Sequence, residues 1–264
     1  TPVAVASSPG PLTCAAPTQV LSSAGSSSGP NYTYAWTALT GNISSGGDTP
    51  NPVVNEPGTY NLLITNNSNG CTATVNVLVT QNIVPPVATI DPPPVLTCAL
   101  TQFPLSADGT GDANWTTIGG NIASGGTSFG NCVVNAPGIY VLSATDPFNG
   151  CTATDTVQVS ANQQAPTLSI TPPATLNCLL TTLTLNANAS GDSLSYQWQT
   201  TGGQFVSGSG TASPQVNAPG AYTLTVTDGV NACTVVSSVA VSQDITPPDI
   251  QIAPPGIVNC TFPT

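Results

Sequence analysis

Apolar and polar residues alternate with period two along much of this chain. Tyr60, Leu62 and Ile64 share one parity, and past a turn Cys71, Ala73, Val75, Val77 and Val79 share another. Such alternation predicts a hairpin with one face buried. Asn69-Gly70 and Asn149-Gly150 supply turn dipeptides that tolerate positive φ, whereas the third hairpin carries Asn231-Ala232. Upstream, Tyr32, Tyr34 and Trp36 fall on one face, as do Leu194, Tyr196 and Trp198, so a central strand with a core tryptophan is expected. Segments 18–22 and 181–187 supply a further strand, and no helical period occurs anywhere. Six or seven short strands per roughly 80 residues, with turn signals between them, predict an all-β chain of tandem immunoglobulin-like β-sandwich domains.

The same phrase returns three times, as Asn55 to Cys71-Thr-Ala, Asn135 to Cys151-Thr-Ala and Asn217 to Cys233-Thr. Tyr60 to Cys71, Tyr140 to Cys151 and Tyr222 to Cys233 are each 11 residues by subtraction. A second set of cysteines, Cys14, Cys98, Cys178 and Cys260, leads the units at nearly equal intervals. One tryptophan, Trp36, Trp115 or Trp198, stands between each leader and the next trailing cysteine. A period of roughly 80 residues is far too long for a short solenoid repeat and suits whole small domains. The expected boundaries are 1–83, 84–164 and 165–246, with 247–264 as the first strand of a truncated fourth repeat, because 247–260 matches 85–98. Proline-rich joints (Pro85-Pro86, Pro166, Pro247-Pro248) fix φ, so short stiff connectors and a beads-on-a-string rod are expected.

Composition narrows the function. The chain has no Lys, Arg or His, 11 acidic residues and a net charge of −11, so it has no side chain to clamp phosphate or steer onto nucleic acid. An apolar content of 39%, falling at ordered intervals, separates it from acidic disordered chains. No apolar run approaches a membrane span. Without His or Lys, nucleophilic triads are excluded and only carboxylate pairs remain, so an enzyme is not expected. The absence of basic residues also leaves trypsin-like proteases nothing to cut.

Eight cysteines without a Cys-x-x-Cys motif or any His favour disulfides in an oxidising compartment over zinc. Pairing each leader with the trailing cysteine of its own repeat gives Cys14 with Cys71, Cys98 with Cys151 and Cys178 with Cys233. Each bond would close a loop of more than fifty residues, contribute on the order of 4 kcal/mol, and on removal unfold its own domain only. Cys260 would pair outside 1–264. Cys132 is left over, standing where the other repeats have Pro52 and Pro214, and is either an intermolecular bridge, a free buried thiol or the partner of another cysteine.

The run at 138–159, Gly-x-Tyr-x-Leu-x-Ala-Thr-Asp followed by Asn-Gly-Cys-Thr-Ala-Thr and a Val-x-Val strand, resembles the immunoglobulin-like or PKD-like repeats of very large bacterial surface adhesins, notably those of gliding bacteria. The resemblance covers essentially the whole chain and implies a secreted or cell-surface protein that spaces, sticks or assembles. The lack of Lys and Arg departs from ordinary repeats of that kind and suggests a specialised extracellular fibre.

Other candidate sites are few. Asp108 and Asp112, in Asp-Gly-Thr-Gly-Asp, are close enough to share a calcium ion through hard oxygen ligands, although Asp and Gly are also turn residues and no EF-hand loop is present. No other cofactor is implied. By analogy with the O-glycosylation of gliding-bacterium proteins, Thr156 in Asp-Thr-Val and Ser193 in Asp-Ser-Leu are candidate glycan sites. Asp155 occupies the parity of Val75 and Ser237, which an edge position or a bulge would explain. The expectation is an extracellular structural fibre whose partners are copies of itself, with no nucleic acid and no membrane span. The alternative is the stalk of a large surface adhesin whose binding domain lies elsewhere.

Overall fold

Alternating side chains become sandwiches by burying one face of each of two sheets. The structure, a computed structural model, describes residues 1–254. The described residues form strands and turns without a helix.

The second repeat shows the plan most fully. Phe103–Leu105, Cys132–Val134 and Ile122–Ser124 form one antiparallel sheet, with Cys132–Val134 in the middle. Ala88–Ile90 pairs antiparallel with Ala107–Gly109 alongside it. Asp112–Ile118, Gly138–Thr145 and Thr152–Val159 form the second sheet around Gly138–Thr145. The first repeat builds the same two three-stranded sheets from Gln19–Val20, Val53–Val54 and Ile43–Ser45, and from Tyr32–Ala38, Gly58–Asn66 and Thr72–Val79. The third uses Leu183–Thr184, Gln215–Val216 and Phe205–Ser207, with Ser195–Thr201, Gly220–Thr227 and Thr234–Val241. With 103–109 taken as one interrupted strand, four strands face three, the order of constant-type immunoglobulin domains.

Each sandwich has its own core. Trp36, Leu21, Tyr60, Leu62 and Ile64 pack together in the first repeat. Trp115, Leu105, Tyr140 and Leu142 pack in the second, and Trp198, Leu185, Tyr222 and Leu224 in the third. Each buried aliphatic side chain contributes roughly 1.5–3 kcal/mol relative to exposure. The buried tyrosines form a repeated corner, since the hydroxyls of Tyr60, Tyr140 and Tyr222 donate to the carbonyls of Glu56, Ala136 and Ala218 four residues upstream, at 2.6, 2.7 and 2.7 Å. The same hydroxyls accept the N–H groups of Asn42, Asn121 and Gln204. A tyrosine corner on the first strand of the last hairpin is an immunoglobulin-like hallmark. The repeats are therefore tandem immunoglobulin-like β-sandwiches.

The indoles are less uniform. Trp115 and Trp198 donate Nε1–H to the carbonyls of Ser128 and Thr211, whereas the buried Trp36 Nε1 has no acceptor.

A short parallel pairing closes each repeat. Leu12–Thr13 lies beside Gln81–Asn82, Leu96 bridges Ala161, and Leu176–Asn177 lies beside Gln243–Asp244. Buried Leu12, Leu96 and Leu176 thus tie the leader segment to the strand by which the chain leaves that repeat. The described residues divide into two compact units: one is residues 1–96 with 100–161, and the other is residues 97–99 with 162–254.

Candidate functional site

The parallel pairing decides where the leader cysteines go. Cys14 lies two residues beyond Leu12, which is registered with Gln81, while Cys71 precedes Gln81 by ten residues (81 − 71) along the last strand. Because the pairing is parallel, Cys14 continues opposite position 83, twelve residues (83 − 71) from Cys71. At about 3.3 Å per residue the two cysteines are roughly 40 Å apart, and a disulfide needs Cα atoms within about 7 Å. The same ten residues separate Ala161 from Cys151 and Gln243 from Cys233. Pairing within each repeat is therefore wrong for Cys14 with Cys71, Cys98 with Cys151 and Cys178 with Cys233.

The bonds instead link each leader to the trailing cysteine of the next repeat. Cys14 is bonded to Cys151 and Cys98 to Cys233, each with Cα atoms 5.0 Å apart. Cys71 is free and half-buried, and Cys178 is free and exposed. Cys260 lies outside the described residues.

An asparagine clasp surrounds each bond. In the first unit the hairpin turn before Cys151 carries Asn149, only 1% exposed. Its Oδ1 accepts the Cys151 N–H at 2.8 Å, while Nδ2 donates to Asn82 Oδ1 at 3.2 Å and the Val84 carbonyl at 2.9 Å. The Asn149 carbonyl accepts the Ala15 N–H. Gly150 has a φ of +70°, and a Cβ there would lie 2.5 Å from Ala15 Cβ. Glycine is thus required both by the left-handed backbone and by the close approach.

The second unit repeats this geometry. Asn231 Oδ1 accepts the Cys233 N–H at 2.9 Å, and Nδ2 donates to Asn162 Oδ1 at 3.0 Å and the Gln164 carbonyl at 2.9 Å. Its carbonyl accepts the Cys98 N–H. Ala232 takes the glycine position with a φ of +57°. The Asp228 carboxylate accepts the N–H groups of Asp192, Val230 and Asn231. These bonds, that of Asp192 above all, hold its carboxyl below the usual carboxylate range against the opposing effect of burial.

Cys132 is a fully buried free thiol, paired across the sheet with Leu105. Burial pushes its pKa up to about 11. A sulfur with no exposed surface cannot bridge to another molecule, so the intermolecular reading of Cys132 is overturned. The residue acts as a small core hydrophobe in place of Pro52 and Pro214.

The remaining candidates fall on separate elements. Asp108 lies in Ala107–Gly109 opposite Thr89, and Asp112 begins Asp112–Ile118 opposite Thr145. Among the described residues no group of three or more His, Cys, Asp or Glu side chains converges as a metal site. Thr156 is exposed on Thr152–Val159, and Ser193 is exposed with a φ of +50°. Asp155 lies on an outer strand, where Oδ2 accepts the Ile90 N–H at 2.7 Å and Oδ1 the Thr156 N–H. Its charge ties the repeat's first strand to its last.

No family model and no curated protein matches the chain. Among solved structures it is similar to titin domains I67–I69 at 9% identity and a TM-score of 0.39, over 92% of this chain and 94% of that one. It is also similar to extracellular domains 3–5 of Drosophila OTK, at 11% identity and a TM-score of 0.33, over 86% and 91%. Strand order and tyrosine corners carry the immunoglobulin-like assignment, and these distant likenesses add nothing to it.

Proposed function

We propose that this chain is a structural extracellular protein, a fibre or filament subunit made of disulfide-joined immunoglobulin-like repeats, without catalytic activity. The observation that supports this most is the cysteine register. Bonds closed within repeats would stabilise separate beads, whereas Cys14–Cys151 and Cys98–Cys233 fasten each leader to the next hairpin turn. A chain wired in this way is built for continuity along its length. Reliance on disulfides belongs to an oxidising, extracellular setting. The hydroxyl- and amide-rich surface without Lys or Arg fits a passive fibre more readily than a receptor.

Electron cryomicroscopy of the oxidised chain tests the reading. Ordered filaments with neighbouring copies in fixed register are expected. Isolated strings at every concentration would overturn assembly and favour a spacer within a larger adhesin.

A further inference from the structure

The clasp has two halves, and the chain carries an unused copy of each. In the third repeat Leu176–Asn177 pairs with Gln243–Asp244 as Leu12–Thr13 does with Gln81–Asn82, and Cys178 beyond it is free and exposed. A recess there is lined by Asn177, Cys178, Leu179, Asp244 and Thr246, with Leu179 97% exposed. Asp244 and Thr246 stand where Asn82 and Val84, or Asn162 and Gln164, receive the amide of the clasping asparagine. The Asp244 carboxylate, an acceptor only, suits that amide.

The first repeat carries the other half. Asn69 Oδ1 accepts the Cys71 N–H at 3.0 Å, the same bond that sets Asn149 and Asn231 in their clasps. The Asn69 side chain is exposed, and its Nδ2 has no acceptor among the described residues. Gly70 has a φ of +70° and open space where Gly150 meets Ala15. Two free cysteines alone would mean little. Here each has around it the counterpart of a clasp that is closed twice elsewhere in the same chain.

We propose that copies of this chain join end to end through a Cys178–Cys71 disulfide, with Asn69 Nδ2 of one copy donating to Asp244 and to the Thr246 carbonyl of the next. The inference rests on the fibre reading and specifies its covalent joint. Because the two faces differ, the contact is heterologous and propagates rather than closing on itself as an isologous pair does. The bond forms by exchange with a small-molecule disulfide such as oxidised glutathione. The Cys178 thiolate attacks it, giving a mixed disulfide and one released thiolate. The Cys71 thiolate then attacks the Cys178 sulfur and expels the second. Two protein thiols are oxidised, one small disulfide is reduced to two thiols, and the protons pass to the released thiolates.

The full 264-residue chain, mixed as unlabelled and nitrogen-15-labelled copies and oxidised with a glutathione couple, provides the test. A ladder of covalent multimers on non-reducing gels is expected, with a Cys71–Cys178 peptide containing one light and one heavy half. Cys71→Ser alone and Cys178→Ser alone should each remain monomeric, and the two variants mixed should stop at a dimer. Cys260→Ser should leave the ladder intact. A ladder that survives in Cys71→Ser, one lost in Cys260→Ser, or Cys178 bonded to Cys260 within a single copy each overturns the proposal. Micrographs of the same samples separate the two readings: filaments without a ladder sink the bond but leave the fibre, and isolated strings without a ladder remove both.

Discussion

Replacing Cys14 with serine should weaken two repeats, although it touches only one of them in sequence. With Cys14 bonded to Cys151, unfolding of the second repeat alone leaves a closed ring. One end is Asn82, held beside Thr13 in the folded first repeat, and the other is Cys151. In the chain-entropy model such a ring, of about 70 residues, removes about 4 kcal/mol of freedom from the unfolded state at 25 °C. Unfolding of the first repeat alone leaves the ring from Cys14 to Ala88, the first paired residue of the second repeat. That ring is of nearly the same size and is equivalent in effect, because the entropy varies only with the logarithm of its length. For domains of about 80 residues each kcal/mol shifts Tm by about 4–8 °C, so both transitions should fall by about 15–30 °C. Thermal unfolding followed by fluorescence, in variants retaining only Trp36 or only Trp115, reads the two repeats separately. A Cys14→Ser chain in which the Trp115 transition stays within a few degrees of the parent would refute the reasoning, because only a bond confined to the first repeat spares the second.

Four further outcomes are expected. Asn149→Ala removes three hydrogen bonds from a buried clasp and strands the Cys151 N–H, so it should cost about 2–4 kcal/mol by chemical denaturation, against less than about 1 kcal/mol for Asn69→Ala; equal costs would discredit the clasp. Trp198→Phe forfeits the bond to Thr211 while Trp36→Phe relieves an orphaned donor, so the first-repeat variant should be less damaging by about 1 kcal/mol or more, and the reverse order would contradict this. The folded pKa of Asp228 is depressed, so its contribution is complete above the ordinary carboxylate range and is lost as pH falls through the folded value; Asp228→Asn should destabilise the third repeat at pH 7, with a deficit that shrinks below about pH 4, and a deficit independent of pH counts against it. Cys132, buried and with a pKa of about 11, should resist iodoacetamide at pH 8 until the second repeat unfolds, and labelling as fast as that of exposed Cys178 would contradict its burial.

Much of this fold was legible in period-two alternation. Tyr60, Leu62 and Ile64 are buried as their parity predicts, and Trp36, Trp115 and Trp198 lie in the three cores. Asp155 is on an outer strand, as an isolated charge at core parity suggested. The disulfide register was not legible, because in a periodic sequence Cys151 follows both Cys98 and Cys14 at intervals compatible with the repeat. Spacing alone cannot say whether a bond stays within one period or crosses into the next. The choice is made by the parallel pairing of Leu12 with Gln81, a two-residue strand whose signal is too short to stand out. The clasping asparagine was also missed: Asn-Gly reads first as a turn, yet Asn231 persists where glycine gives way to Ala232 with positive φ. An asparagine kept while its glycine is lost marks a side chain valued for its own hydrogen bonds.

The Cys14–Cys151 bond also sets how the protein answers a pull. Tension applied at Thr1 and beyond Ala161 passes from Cys14 through sulfur to Cys151, so the 137-residue interval that holds most of two sandwiches lies outside the stressed path. At roughly 3.4 Å per residue, about 470 Å of slack stays locked away even if both cores melt. Oxidation makes the molecule nearly inextensible across that interval, and reduction turns the same length into a yielding tether.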